Sequence, residues 1–250
     1  MPDFRVFCTP PAPEPAEIAL SPEESHHLVA VNRARAGDPV IAFDGRGTEW
    51  TCELAGDRKN AAVLRVRSRR TAPPLPCAIT LAAALPKGAA MDAIVRHATE
   101  LGARRIAPLT ATRTEVHLDD TRSDRKAAKW RTAAIEAAKQ CGNPFVPDIA
   151  PVQALADFLR AEAPSAGLRL IASLAPGAQA LKAALAAYRA THGRAPLAAV
   201  WLIGPEGDFT PAELAAAQAA GFAPTTLGPL TLRCDTAAVA ALSALNNELL

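Results

Sequence analysis

Six residues, Thr71-Ala72-Pro73-Pro74-Leu75-Pro76, separate two stretches of this 250-residue chain that differ in hydrophobic period. Proline fixes φ and carries no backbone N–H, so three prolines this close suit neither a helix interior nor a central strand. Before them lie strand-like runs at residues 5–7, 39–44, 48–54 and 61–67. In the last of these, Ala62, Leu64 and Val66 alternate with Val63, Arg65 and Arg67, the pattern of a strand with one buried face. Asp44-Gly45-Arg46-Gly47 supplies the glycines of a tight hairpin. Short strands around one small core predict a barrel-like module over residues 1–72.

From residue 73 to 250 the period changes. Apolar runs at 79–85, 105–109, 168–174, 198–203 and 224–227 alternate with helical stretches. This predicts an α/β domain with helices on both faces of a mostly parallel sheet. A helix over 90–101 carries Ile94, Val95, Ala98 and Leu101 on one face and stops at Gly102. Another starts at Thr210-Pro211-Ala212-Glu213, with threonine as cap, proline at the first helical position and glutamate three residues after the cap. A last helix from Asp235 presents Val239, Leu242, Leu245 and Leu249 for packing.

Composition removes several classes of function. Half the residues are hydrophobic, enough for a sizeable core, but Pro, Arg and Asp interrupt every apolar run before it could cross a bilayer. Met1-Pro2-Asp3-Phe4-Arg5 has no export-signal pattern, so a cytoplasmic protein with no membrane partner is expected. Five scattered cysteines and the adjacent His26 and His27 fit neither a disulfide framework nor a metal site. A formal net charge of +2 does not nominate a nucleic-acid binder. Two local clusters do carry positive charge: Arg58, Lys59, Arg65, Arg67, Arg69 and Arg70, then Arg122, Arg125, Lys126, Lys129 and Arg131. Each is either a phosphate-contacting patch or an ordinary solvated face.

The stretch richest in chemistry is Leu202-Ile203-Gly204-Pro205-Glu206-Gly207-Asp208-Phe209, between a buried strand and the capped helix. Glycines at a strand's C-terminal end let backbone amides approach a ligand, and open α/β sheets bind ligands there. The spacing is neither G-x-G-x-x-G nor a P-loop, so a cofactor loop and a plain turn both remain open. A second Gly-Pro loop, Leu227-Gly228-Pro229-Leu230, leads through Thr231-Leu232-Arg233-Cys234-Asp235-Thr236-Ala237 into the last helix. Asp235 and Thr236 are placed to cap that helix, and Arg233 is the natural cation for an anionic group.

Several motifs in order, Leu85-Pro86-Lys87-Gly88, Ala98-Thr99-Glu100-Leu101-Gly102, Glu136-Ala137-Ala138-Lys139-Gln140, Ile203-Gly204-Pro205-Glu206-Gly207 and Leu227-Gly228-Pro229 through Leu232-Arg233, resemble the ribosomal small subunit methyltransferase E family of the SPOUT superfamily. His26-His27-Leu28-Val29 through Arg33, Gly37-Asp38 and Phe43-Asp44-Gly45 resemble that family's PUA-like RNA-binding barrel. The resemblance implies a trefoil knot in the last third of the chain, a homodimer, and S-adenosylmethionine as methyl donor to N-3 of a uridine in 16S ribosomal RNA of the small ribosomal subunit. It departs from the family pattern at Asp208, where a second glycine is common, at Cys234-Asp235, and at Asn32 and Asn143.

By the same resemblance, Leu202, Ile203, Gly204, Pro205, Glu206, Gly207, Leu227, Gly228, Leu232 and Ala237 are the expected cofactor-binding residues. Arg5, Arg33, Lys87 and Arg113 are the expected RNA contacts, with exposed charge as the plainer reading. Arg233 is assigned to the negative charge that spreads over the uracil oxygens, or else to a salt bridge with Asp235. Glu206 is expected to brace its loop through backbone amides, and Cys234 to pack. Two rival functions remain: a related methyltransferase acting on another RNA or position, and an RNA-binding protein with a vestigial pocket.

Overall fold

The computed structural model describes residues 4–9, 14–116, 120–161 and 167–249; the start of the segment read for an export signal lies outside them. The chain forms two compact units, Met1–Pro74 with Ile135–Val146, and Leu75–Ala134 with Pro147–Leu250.

In the first unit, β1 (Phe4–Phe7), β2 (Glu17–Ala19), α1 (Pro22–His26) and a π-helical turn (His27–Val31) precede β3 (Pro39–Phe43), β4 (Thr48–Gly56) and β5 (Val63–Thr71). The five strands pair in the order β1-β3-β4-β5-β2, with β1 parallel to β3 and the remainder antiparallel. Val6, Ile18, Leu28, Val40, Trp50, Leu54 and Leu64 fill the core. The β3–β4 connection turns as its glycines predict, with φ of +70° at Gly45 and +100° at Gly47, and Asp44 Oδ1 accepts the amides of Arg46 and Thr48 at 2.7 and 3.0 Å. A Cβ on Gly47 would lie 2.5 Å from the Phe145 ring, because residues 135–146 dock on this hairpin through Gly47 N to Pro144 O and Val146 N to Gly45 O. Lys139 in that segment is buried and is neutralised by Glu24 at 2.5 Å and Glu136 at 2.7 Å, as a desolvated ammonium requires.

β5 runs four residues beyond the predicted strand and ends at Thr71, opposite Thr48. The first residue of the proline stretch, Thr71, is therefore the last residue of β5, held there by pairing with β4. Every arginine on β5 has a carboxylate nearby: Glu17 lies opposite Arg65, and Glu53, Glu14 and Glu49 pair with Arg67, Arg69 and Arg70.

In the second unit, β6 (Ala78–Ala84), α2 (Ala90–Glu100), β7 (Arg105–Thr110), α3 (Asp120–Cys141, whose last turns belong to the first unit), β8 (Asp148–Ile149), β9 (Gln153–Ala154) and α4 (Leu155–Ala161) come first. They are followed by β10 (Leu168–Ala172), β11 (Gln179–Ala180), α5 (Leu181–His192), β12 (Ala198–Ile203), α6 (Pro211–Ala219), β13 (Ala223–Thr226) and α7 (Cys234–Leu249). The sheet order is β11-β13-β10-β12-β6-β7-β8, with β9 also on β7, and every pairing is parallel.

Successive strand residues point to opposite faces, so a sheet covered twice buries both sets. Ala82, Ala84, Val200 and Leu202 pack with Phe158 of α4 and Ala217 of α6, while Leu81, Ala83, Trp201 and Ile203, equally buried, face the other way. There α7 lies against β6 and β12, and α2 lies against α7. Gly102 ends α2 at φ +75°, and Thr210 and Glu213 form the reciprocal capping box expected for α6, a device worth about 1 kcal/mol. α7 begins at Cys234, with Arg233 accepting the first helical bond from Ala237. Asp235 thus sits in the first turn rather than at the cap, where its charge still favours the helix N-terminus.

Candidate active site

The strand order places β13, β10 and β12 side by side, so the loops leaving their C-terminal ends meet over one end of the sheet. They surround a cavity of about 480 Å³, within the roughly 300–1,000 Å³ of small-molecule clefts. Ile203, Gly204, Pro205, Glu206 and Asp208 form one wall, and Leu227 with residues 230–235 and Ala237 forms another. Ala172, Ser173 and Leu174 close a third side, and Ala90 from the start of α2 joins them.

The loop after β12 is held from several directions. Pro205 O accepts the amide of Asp208 at 2.9 Å, and Asp208 adopts φ +59°, a conformation that aspartate tolerates better than most side chains. Its Oδ1 accepts the Phe209 amide at 2.7 Å, and a Cβ on Gly204 would sit only 3.1 Å from that same oxygen. Glu206 Oε1 accepts the backbone amide of Lys87 at 2.9 Å, the bracing expected of it. Arg113 Nη1 donates to Gly207 O at 2.7 Å, and its stem would lie 3.1 Å from a Cβ on Gly207.

Glu213 completes the frame. Its Oε1 takes the amide and hydroxyl of Thr112 at 2.7 and 3.0 Å, and its Oε2 takes those of Thr210 at 2.8 and 2.9 Å. Partial burial pushes the pKa of Glu213 up, but the hydrogen bonds from Thr112 and Thr210 outweigh it and hold the carboxyl below its ordinary value.

The loop after β13 is built differently. Gly228, at φ +125°, exchanges hydrogen bonds with the Thr226 hydroxyl, and beyond it Leu230 is 72% exposed. The Arg233 side chain is 83% exposed, its Nε 3.6 Å from Asp235 Oδ1. That pair is worth little in water and leaves the guanidinium available to a second anion. Burial and the Glu206 carboxylate raise the Cys234 thiol to about 11, which suits packing and not nucleophilic attack.

Of the expected cofactor residues, Ile203, Gly204, Pro205, Glu206, Leu227, Leu232 and Ala237 line the cavity together. Leu202 faces the opposite side of β12 and is fully buried among Val200 and Phe209; Gly207 turns toward Arg113. Gly228 shapes the turn next to the wall. Among the expected RNA contacts, Arg5 is the most engaged: its side chain is 15% exposed, bonded to buried Glu49 at 2.8 Å and stacked over Phe43. Arg33 is exposed at φ +60°, and Lys87 Nζ pairs with Glu115 at 2.8 Å.

The apolar run 168–174 predicts a strand to its end, but β10 stops at Ala172, and residues 172–174 lie on the cavity wall, a role their sequence does not signal. Their loop carries no Gly-Pro signature, and only the crossover that inserts β10 between β12 and β13 brings it to the site.

Among the described residues no cluster of His, Cys, Asp or Glu could hold a metal, and no helix is long and apolar enough to cross a membrane.

A parallel sheet ending in this loop-lined cleft is the architecture of an RNA methyltransferase domain, and the family model of that description matches residues 73–246. An RNA methyltransferase PUA domain matches residues 20–67. The chain belongs to the ribosomal RNA small subunit methyltransferase E family. It is 32% identical to the Synechocystis member over 97% of this chain and 77% of that protein, and 31% identical to the Bacillus subtilis member over 94% and 91%. A Legionella pneumophila protein solved with bound cofactor SAM superposes with a TM-score of 0.88 at 30% identity, covering 99% of this chain and 98% of that one. The Neisseria gonorrhoeae ribosomal RNA small subunit methyltransferase E bound to S-adenosyl methionine gives 0.85 at 27% identity, covering 98% of both.

Proposed function

We propose that this chain transfers a methyl group from S-adenosylmethionine to N-3 of a uridine in 16S ribosomal RNA, in the cytoplasm and as a homodimer. The observation that carries the reading is the cleft closed by three strand-end loops in a chain of this family. The residues present fit the cofactor. Gly204 lets the cavity-lining loop pack closely against Asp208 and Phe209, Ile203, Leu227, Leu232 and Ala237 offer an apolar wall for a flat base, and Glu206, Asp208 and Asp235 favour a cationic ligand. We extend the reading to a trefoil knot through these loops and to a PUA-like barrel in the first unit that holds RNA.

When bound, S-adenosylmethionine supplies a methyl group already activated on a sulfonium. The protein's part is to align the two reactants and stabilise charge. Uracil N-3 gives up its proton to solvent before it attacks, and negative charge spreads onto the flanking carbonyl oxygens. That charge is discharged as the N–CH₃ bond forms and the S–CH₃ bond breaks to leave neutral S-adenosylhomocysteine. Arg233, on the cavity wall and mostly exposed, is the guanidinium that meets this charge. The braced 204–208 loop keeps the donor side of the site fixed while it does so.

The test incubates the purified protein and methyl-labelled donor with small subunits from a strain lacking this modification, then digests the RNA for nucleoside mass spectrometry. Labelled 3-methyluridine is expected. Label on a ribose, or on another base, would replace this assignment with a related specificity; no donor binding by calorimetry would leave an RNA-binding protein.

A further inference from the structure

We infer that Leu174 and Leu230 form an apolar lip that receives the acceptor nucleobase as it enters the cleft; this rests on the function proposed above. Five large hydrophobic side chains are exposed among the described residues: Val31, Leu75, Leu174, Leu197 and Leu230. Such side chains scattered singly need no explanation, because apolar atoms cover much of any protein surface. Leu174 and Leu230 are not scattered. Both line the cleft, and the other three do not.

The sheet brings the two together. β10 and β13 are paired neighbours, with Ala172 opposite Thr225, and the Ser173 amide donates to Thr225 O at 3.1 Å. The loop carrying Leu174 thus leaves the sheet beside the strand whose loop carries Leu230. Leu174 is 53% exposed and Leu230 72%, whereas Ile203, Cys234 and Ala237 on the same cavity are buried and Leu227 and Leu232 are half-buried. The lining therefore divides by depth. Its solvent-facing mouth consists of Leu174, Leu230, Thr231 and Arg233 from the loops after β10 and β13, and of Glu206 and Asp208 from the braced loop after β12.

In-line methyl transfer brings the acceptor atom to about 3–3.5 Å from the methyl carbon. A donor held on the buried floor is reached only through the mouth, so the acceptor base must rest against mouth residues. Uracil has two apolar faces and an edge of carbonyl oxygens. The leucines suit the faces and the exposed Arg233 guanidinium suits the oxygens, whereas Glu206 and Asp208 repel a base that carries negative charge. Covering the leucines then offsets part of the cost of taking the base out of its stack.

The test compares L174S/L230S with L197S, an exposed leucine just before β12 at the opposite end of the sheet. Steady-state methylation of small subunits from a strain lacking the modification, S-adenosylmethionine binding by calorimetry, association state by sedimentation and thermal melts are read in parallel. For L174S/L230S, kcat/KM for the RNA substrate should fall by roughly 10- to 100-fold, with wild-type cofactor affinity, association state and melting temperature. L174M/L230M, which keeps an adaptable apolar contact, should stay within about threefold of wild type, as should L197S.

Unchanged kcat/KM in L174S/L230S, an equal loss in L197S, or a methionine pair as impaired as the serine pair would overturn the lip. Weakened cofactor binding would assign the leucines to the donor pocket, and a shift in association state would assign them to a second copy of the chain; either result overturns it as well. In each of these cases the wild-type protein still methylates RNA, so the lip fails while the proposed function stands. A wild-type protein that binds cofactor but methylates no RNA would remove both.

Discussion

The two Gly-Pro loops bordering the cleft leave strands on either side of β10 and end in helices of the same unit, yet they are held in opposite ways. The loop after β12 is tied by the Lys87 amide, the Arg113 guanidinium and, through Glu213, by Thr112. The loop after β13 relies on its own Thr226 hydroxyl and presents Leu230 and Arg233 to solvent. Backbone fixed before binding costs less ordering entropy when a ligand arrives, whereas an exposed guanidinium can follow a substrate that enters later. One rim is fixed in advance and the other is open; on the function proposed above, the first serves the donor and the second the acceptor.

Arg233→Ala should produce the largest effect. If the open rim serves the acceptor, kcat falls by about 10²–10³, as for loss of one charge-stabilising donor. Cofactor affinity measured by calorimetry should stay within about twofold, because the side chain lies mostly in solvent. A weakened cofactor complex with unchanged kcat would reverse the assignment of the two rims.

Gly204→Val attacks the braced rim. Its Cβ would crowd Asp208 Oδ1 at 3.1 Å and Phe209 at 3.4 Å, and overpacking of about 1–3 kcal/mol should weaken cofactor binding by up to about 100-fold. RNA affinity, followed by filter binding, should change little.

Glu213→Gln gives the smallest change and sharpens the comparison most. An amide cannot accept from both threonines without turning its NH₂ toward a donor, so about 1–2 kcal/mol of bracing is lost and cofactor affinity drops about tenfold. The folded-state pKa of Glu213 lies below the ordinary 4.5, so its contribution to stability is full above that value and disappears as pH falls through the depressed one. Thermal melts from pH 6 to 3 should show the variant less stable than wild type at the upper end and the gap narrowing at the lower.

Much of this arrangement could be read from residue order. Thr210-Pro211-Ala212-Glu213 specifies a helix start by hydrogen bonds spanning four residues, and Gly102 specifies a stop by its own backbone freedom. Local signals of that kind survive folding unchanged. Thr112 is the opposite case. An ordinary loop residue, it reaches Glu213 only because β7 and β12 flank β6, a fact of strand order with no local trace. The same holds for Ser173 and Leu174 on the cavity wall, and for Arg5, whose partner Glu49 lies on a strand that β3 separates from β1. The basic cluster on α3 was visible as composition, but the tie of its Lys129 to Asp92 of α2 was not.

The pairing of β6 with β12 joins Ala78 to Ala198, with β7, β8, β9, β10 and β11 lying between them in the chain. Contacts this distant form late, since the entropy of closing so long a loop precedes any gain from the new hydrogen bonds. During synthesis β6 must therefore wait, unpaired on one edge, until residues 198–203 have emerged. The cleft acquires two of its three walls only from residues 203–208 and 227–237, so a product truncated before β12 has the first strands of the sheet and no closed cleft.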